Sequence, residues 1–308
     1  MHLLVLAIGW LACFVVGVGL QRRSRDPKRL SHILFLVLFW GTAPLVVFFS
    51  YTTVDLDRAL VATMAVVVCA SWLVLGIGLL WGRLAGRSRS ERGSLAIATA
   101  MGNTSFVGYP LATIVFGPAG LALAVIYSEF QFLVPSLAVS TGVARHDAGP
   151  QAHAPAATGV AGLLRSWAVN PPVAAGVLAL ALRFAGVDLS GVVEPVGPPV
   201  GVAIGMFGFA QVGLAMPLGR LVHTGSDLWR AAVTLALRCL AAPLILFALG
   251  AVSGVEVPGV FLLLAATPVA FHTLVLARVY DLSAELLRLL IIVSTPLVIV
   301  AVLVGHAR

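Results

Sequence analysis

Gly102-Asn103-Thr104-Ser105-Phe106-Val107-Gly108-Tyr109-Pro110 interrupts an otherwise apolar run at residues 95–116. Asn103, Thr104 and Ser105 set three polar side chains in a row, with Gly102, Gly108 and Pro110 around them. Pro110 has no N–H to donate and leaves a carbonyl unpaired. At membrane depth such backbone is tolerated only where protein or a water-filled cavity satisfies it. The rest of the chain shows that a membrane is the solvent to consider. Of 308 residues, 60% are hydrophobic and 10% are charged, and the mean hydropathy is +1.06. Soluble domains have roughly 45–50% apolar and about 25% charged residues. A soluble fold of this size could not hide so much apolar surface. A soluble enzyme, a disordered chain and a disulfide scaffold are therefore set aside.

A helix needs about 20 mostly apolar residues to cross a hydrocarbon core roughly 30 Å thick. Ten such segments can be read, at 2–20, 31–50, 59–81, 95–116, 119–141, 167–186, 199–221, 230–251, 258–279 and 286–305. The runs are continuous rather than alternating, which argues against a β-barrel. Backbone groups in lipid must be satisfied within the segment, which leaves helices. The expected fold is an all-α polytopic membrane protein of ten transmembrane helices. No basic stretch precedes residues 2–20, and Arg22, Arg23 and Arg25 follow them. A cleaved signal peptide has the reverse order, so this segment is expected to be a retained span.

Charge sets the expected orientation. Gaps after the odd-numbered spans hold fifteen of the 19 basic residues, among them Arg22, Arg23, Lys28, Arg83, Arg87, Arg145, Arg165, Arg220, Arg230 and Arg278. The opposite side holds Arg58, Arg183 and Arg308, and Arg238 lies inside a span. Basic loops stay in the cytoplasm, so both termini are expected outside the cell membrane. The net charge of +7 thus reads as topology. Nucleic acid is not an expected partner, because no basic face remains once the runs are in lipid. Cys13, Cys69 and Cys239 all lie in apolar runs and show neither disulfide nor metal spacing.

The longest gap, 142–166, divides the chain into residues 1–141 and 167–308, each with five spans. An odd number of spans per half inserts the halves with opposite topology, as in inverted-repeat transporters. Pro44-Leu45 and Pro217-Leu218 occupy matching second spans. The fourth span of the second half carries Thr267-Pro268-Val269-Ala270-Phe271-His272-Thr273, a second break. Two broken helices at equivalent places would cross near the midplane. Their half-helix N-termini would offer free N–H groups to an anion. A proline kink packed by small residues is the simpler reading of either break alone.

The segment 102–111 resembles the GNTGFLGIPL-type segment of the auxin efflux carrier family, within the wider bile-acid-symporter-like superfamily. Asn170-Pro171-Pro172 resembles that family's NP motif. Residues 267–277, followed by Tyr280-Asp281, resemble its MPVAVNSFVLA…YG segment, and Ser294-Thr295 fits the last span. The resemblance covers essentially the whole chain, in order. It implies two inverted five-helix repeats with crossed broken helices 4 and 9. It further implies a scaffold domain of spans 1, 2, 6 and 7 and a transport domain of spans 3–5 and 8–10 that moves as an elevator. The implied activity is secondary transport of small organic anions such as malate, malonate or auxin. Asn103 matches the family's substrate-contacting asparagine in helix 4. His272 stands where the family has asparagine in helix 9, a departure that touches substrate choice or pH response. The long hydrophilic loop of the plant exporters is absent.

The substrate-site candidates are Asn103, Thr104, Ser105, Gly108, Pro110, Pro268, His272 and Thr273. Glu129 and Arg238 lie inside spans, where a charge is a functional hypothesis by default. Three readings stay open for them: an ion pair, a coupling or gating pair along the path, or snorkelling near a boundary. No catalytic residue, metal site or organic cofactor is expected, and sodium or a proton is the candidate coupling ion. No phosphate-loop sequence is present, which argues against ATP hydrolysis. Expected partners are the organic anion, the bilayer and, as a candidate, a second copy of the chain. Competing readings are a sodium-coupled bile-acid-symporter-like carrier, an intramembrane hydrolase using Ser105 with His272, and a receptor or assembly subunit without transport.

Overall fold

A computed structural model describes residues 2–54, 57–138, 171–187, 189–215 and 225–306. The gap 142–166, Asn170 and Pro217-Leu218 lie outside the described residues. The described chain is helical almost throughout. In order come α1 (His2–Arg23), α2 (Pro27–Val37), α3 (Ala43–Thr53), α4 (Arg58–Ala85), α5 (Arg89–Ala100), α6 (Tyr109–Ala138), α7 (Pro171–Phe184), α8 (Ser190–Ala215), α9 (Gly225–Ala236), α10 (Ala242–Ser253), α11 (Gly259–Ala265), α12 (His272–Val279) and α13 (Ala284–His306).

Among the described residues five stretches are long and apolar enough to cross a bilayer: Arg29–Thr53, Arg58–Ala85, Thr104–Gln131, Asp227–Ser253 and Ala284–Val302. Pro171–Phe184 and Pro199–Ala215 are shorter apolar helices. Large apolar side chains such as Val61, Leu73, Leu84, Leu244, Phe247 and Val252 point outward. Lipid can cover such a surface, whereas water would penalise it. The architecture is that of an all-α membrane protein.

Helix starts carry the expected caps. Asp57 accepts from the Leu60 N–H at 2.7 Å, and Asp26 from the Arg29 N–H at 3.0 Å, with Pro27 opening α2. Ser88 accepts from the Glu91 N–H, and the Glu91 carboxylate reaches back to the Arg87 N–H at 2.8 Å. Among the described residues three π-helical turns, at Leu38–Thr42, Thr104–Gly108 and Leu237–Ala241, each end two residues before a proline: Pro44, Pro110 and Pro243. A proline cannot donate and its ring presses on the carbonyl four residues back. The extra residue of a π-turn relieves that clash without ending the helix. Gly117, at φ 72° and ψ −164°, breaks α6 into two helical segments and holds a conformation open mainly to glycine.

Packing follows small residues. Helix α1 lies along α8, where a Cβ at Gly17 would overlap the Ala210 carbonyl and one at Gly213 would overlap that of Phe14. Helix α3 lies along α7, and α4 pairs with α5 through Gly78 and Gly82. Close backbone approach of this kind is how apolar helices associate in lipid. One apolar cluster joins α3, α4, α6, α10 and α11, and a second joins α5, α9, α12 and α13.

Arg230, read at the boundary of a cytoplasmic gap and the eighth span, lies near the start of α9 and is buried. It pairs with Glu91 at 2.7 Å and with Asp227. Beside it Trp81 donates to the Thr234 hydroxyl at 2.9 Å and meets Trp229 edge to face.

Candidate functional site

The two sequence breaks meet. Helix α5 ends at Ala100, and Met101 and Gly102 run on as extended chain to Asn103 before the π-turn that leads into α6. Helix α11 ends at Ala265, and residues 267–270 run extended to α12. Gly102 and Val269 form an antiparallel bridge. The Asn103 N–H donates to the Pro268 carbonyl at 2.7 Å, and the Ala270 N–H donates to the Met101 carbonyl at 2.9 Å. Two interrupted helices thus satisfy part of each other's freed backbone. Ser294 of α13, fully buried, accepts from the Val269 N–H at 3.2 Å and anchors the second break.

Asn103 is 3% exposed, and its Oδ1 accepts from the Phe106 N–H at 3.2 Å, capping the π-turn. Its Nδ2 is buried and has no partner. Thr104 is buried and Ser105 half-buried. The Gly108 N–H donates to the Asn103 carbonyl at 3.0 Å, and a Cβ at Gly108 would come within 2.6 Å of Leu264 Cδ2. Gly108 therefore serves the close approach of α6 and α11. His272 opens α12 and is half-buried. The Thr273 hydroxyl, fully buried, donates to the Ala270 carbonyl at 2.7 Å and so is spent on its own helix start. Pro110 packs against α8, where a Cβ at Gly205 would meet its ring at 2.5 Å.

Arg238 lies in the π-turn between α9 and α10 and is 1% exposed. Its Nε donates to the Thr267 carbonyl at 3.1 Å. Its Nη1 donates to the Ala100 carbonyl, and its Nη2 to the Leu264 carbonyl and the Thr267 hydroxyl, at 3.3–3.4 Å. Gln131 turns its amide oxygen to both, 3.3 Å from Nη1 and 3.2 Å from Nη2. A Cβ at Gly102 would overlap Nη2, so the first break is shaped around this guanidinium. Among the described residues no ion pair joins Arg238 to Glu129. Glu129 is half-buried and lies within electrostatic reach of Tyr51 and Tyr109 instead.

Of the residues singled out in the sequence, Asn103, Gly108, Pro268 and Arg238 converge at the crossing, with His272 and Thr273 at the adjoining helix start. Pro110 and Glu129 have their contacts elsewhere. The sequence did not point to Gln131, whose lone amide in an apolar run was the available signal, or to the carbonyls of Ala100, Leu264 and Thr267, which have none. A separate cavity of about 650 Å³ opens between α3, α4 and the second segment of α6, lined by Ser50, Asp57, Thr63, Ala119, Leu123 and Glu256 among others. None of the crossing residues lines it. Among the described residues no group of three His, Cys, Asp or Glu side chains could hold a metal ion.

The crossing supplies a buried amide donor beside two helix starts; Asn103 Oδ1 caps the first through the Phe106 N–H, and at the second the Thr273 and Leu274 N–H groups donate to the Ala270 and Phe271 carbonyls. A fixed positive charge sits one residue from it. This is donor-rich ground, suited to an oxygen acceptor. No protein-family model and no curated protein matches this chain.

Proposed function

We propose that this chain is a secondary transporter of small organic anions, of the malate, malonate or auxin kind, in the cell membrane. The anion sits at the crossing, held by Asn103 Nδ2, the N–H groups at Thr104 and Ser105, and the start of α12 at His272. The observation that carries the reading is the buried, unpartnered Asn103 Nδ2. Leaving such a donor unpaired costs about 1–3 kcal/mol, a cost that an anionic oxygen would remove.

Arg238 supports the sign of the substrate. Its guanidinium lies against Gly102, next to Asn103, but the carbonyls it binds offset its charge, so the net attraction for an anion is small. Helix packing supports alternating access. Helices α1, α3, α7 and α8 pack on one another, α4, α5 and α9–α13 pack on one another, and the two sets meet through α6 and through apolar clusters that join α3 to α4 and α13 to α1 and α8. The first set is the scaffold and the second the moving element, within ten spans arranged as two inverted repeats with both termini outside.

Proteoliposome uptake of radiolabelled malate, malonate and auxin tests this directly. Saturable uptake that Asn103→Ala abolishes supports the reading. Hydrolysis of an added ester in detergent, with no uptake in vesicles, would replace it with the hydrolase reading.

A further inference from the structure

The oxygen shell around Arg238 has the composition of a cation site. Three of its five oxygens are main-chain carbonyls, from Ala100, Leu264 and Thr267, and the others are the Thr267 hydroxyl and the Gln131 amide. All are neutral, and among the described residues no carboxylate lies within ion-pair distance of Arg238. Ala100 is the last residue of α5, and Leu264 and Thr267 flank the end of α11. Two helix C-termini therefore converge on one guanidinium. Each carries roughly half a negative charge, and the single positive charge balances the two.

In inverted-repeat transporters, half-helix C-termini and unwound carbonyls are where coupling cations bind. We propose that Arg238 is a tethered cation: its guanidinium fills the carbonyl seat that a coupling sodium ion would take, so the protein works without sodium and becomes cation-dependent when Arg238 is removed. The transport half of this statement rests on the reading above, whereas the seat itself does not. The chain is committed to the arrangement, since Gly102 leaves room for Nη2 that any Cβ would fill.

The test is the melting temperature of the detergent-purified full chain in choline chloride and in sodium chloride. Wild type should melt at the same temperature in both. Arg238→Ala leaves the Ala100 and Thr267 carbonyls without this donor, while Leu264 keeps its bonds from the Thr267 N–H and hydroxyl, and should melt about 10 °C lower in choline. Millimolar guanidinium chloride should restore it saturably, and sodium should restore it in part, while neither raises wild type. Saturable stabilisation of wild type by sodium would place the cation seat elsewhere and overturn the proposal. Indifference of Arg238→Ala to both cations would overturn it too. If Arg238→Ala does not survive purification, Arg238→Lys and Arg238→Gln carry the test. The lysine variant should purify without added cation, and the glutamine variant only with guanidinium present. Equal behaviour of the two overturns the proposal. A malonate-induced shift in wild type reports on the anion site independently. Cation rescue without any anion shift keeps the seat and removes the transport reading, and an anion shift without cation rescue does the opposite.

Discussion

Removing Asn103 should weaken ligand binding without weakening the protein. Its side chain does two opposed things in the ligand-free state. Oδ1 caps the π-turn through the Phe106 N–H at 3.2 Å, and losing such a cap costs about 1 kcal/mol. Nδ2 is a buried donor with no partner, and removing it recovers about 1–3 kcal/mol. Asn103→Ala therefore changes ligand-free stability by roughly 0 to 2 kcal/mol in the stabilising direction. Asn103→Ser, which keeps a capping oxygen, should be at least as stable. Both variants lose the amide donor to the anion, worth about 1.5–3 kcal/mol as a bond to a charged group, or roughly 10- to 150-fold in affinity. The assay is thermal unfolding in detergent with a malonate titration, so that one set of curves yields both quantities. The expected result is an unchanged or raised melting temperature without ligand, with the dissociation constant up at least tenfold. A melting temperature several degrees lower with malonate affinity unchanged would refute the reasoning, because Asn103 would then be a structural cap and nothing more.

A methyl at Gly102 would overlap Arg238 Nη2 and lie 2.5 Å from the Thr267 hydroxyl, so Gly102→Ala should cost about 1–3 kcal/mol, read as a lowered melting temperature. Ser294→Ala strips the Val269 N–H of its acceptor and should cost a similar 1–3 kcal/mol, with Ser294→Thr recovering most of it. Burial pushes the Glu91 carboxyl up, but the Arg87 N–H and the Arg230 guanidinium outweigh it and hold the group below its usual range. A carboxylate with a lowered folded pKa stabilises above its unfolded value, near 4.3, and loses that contribution as pH falls through the folded value; Glu91→Gln should flatten the loss of stability between about pH 5 and pH 3. If the termini are outside, a cysteine at Ser253, exposed at the end of α10, should react with a membrane-impermeant maleimide in whole cells, and one at Arg89 only after permeabilisation. The reverse pattern would invert the proposed topology.

The sequence made the apolar runs plain, and the structure builds helices on them. It also marked the breaks, because Asn103 to Pro110 and Thr267 to Thr273 put polar and helix-breaking residues where a span needs neither. Gly117 falls between two of the runs read in the sequence, and there the backbone leaves helix. Counting by helix length hides this organisation: α11 has 7 residues and α12 has 8, and neither reaches across a bilayer alone. Arg238 was visible as a buried charge, but its role was not. Its acceptors are mostly main-chain carbonyls, which every residue carries, so no side-chain pattern announces them. Pairing it with Glu129 was the natural guess from two charges in apolar runs, and tertiary geometry rather than charge decided otherwise. The ion pairs of Arg230 were hidden for a related reason. The residue stands near a span boundary, and only the α4–α5 hairpin brings Glu91 to it.

The proposal of an anionic ligand rests on which groups the crossing leaves over. Asn103 has four polar groups, and three are engaged within the protein: its N–H with Pro268, its carbonyl with Gly108 and its Oδ1 with Phe106. The fourth, Nδ2, is a donor. The carbonyls that could have drawn a cation, at the ends of α5 and α11, are already taken by Arg238. Helix C-termini are thus closed by a charge built into the chain, while one buried amide N–H stays without an acceptor. A free cation approaching this place would meet a donor and a guanidinium, and both would repel it. An anion would meet a donor it can bond and would supply the acceptor that Asn103 Nδ2 lacks.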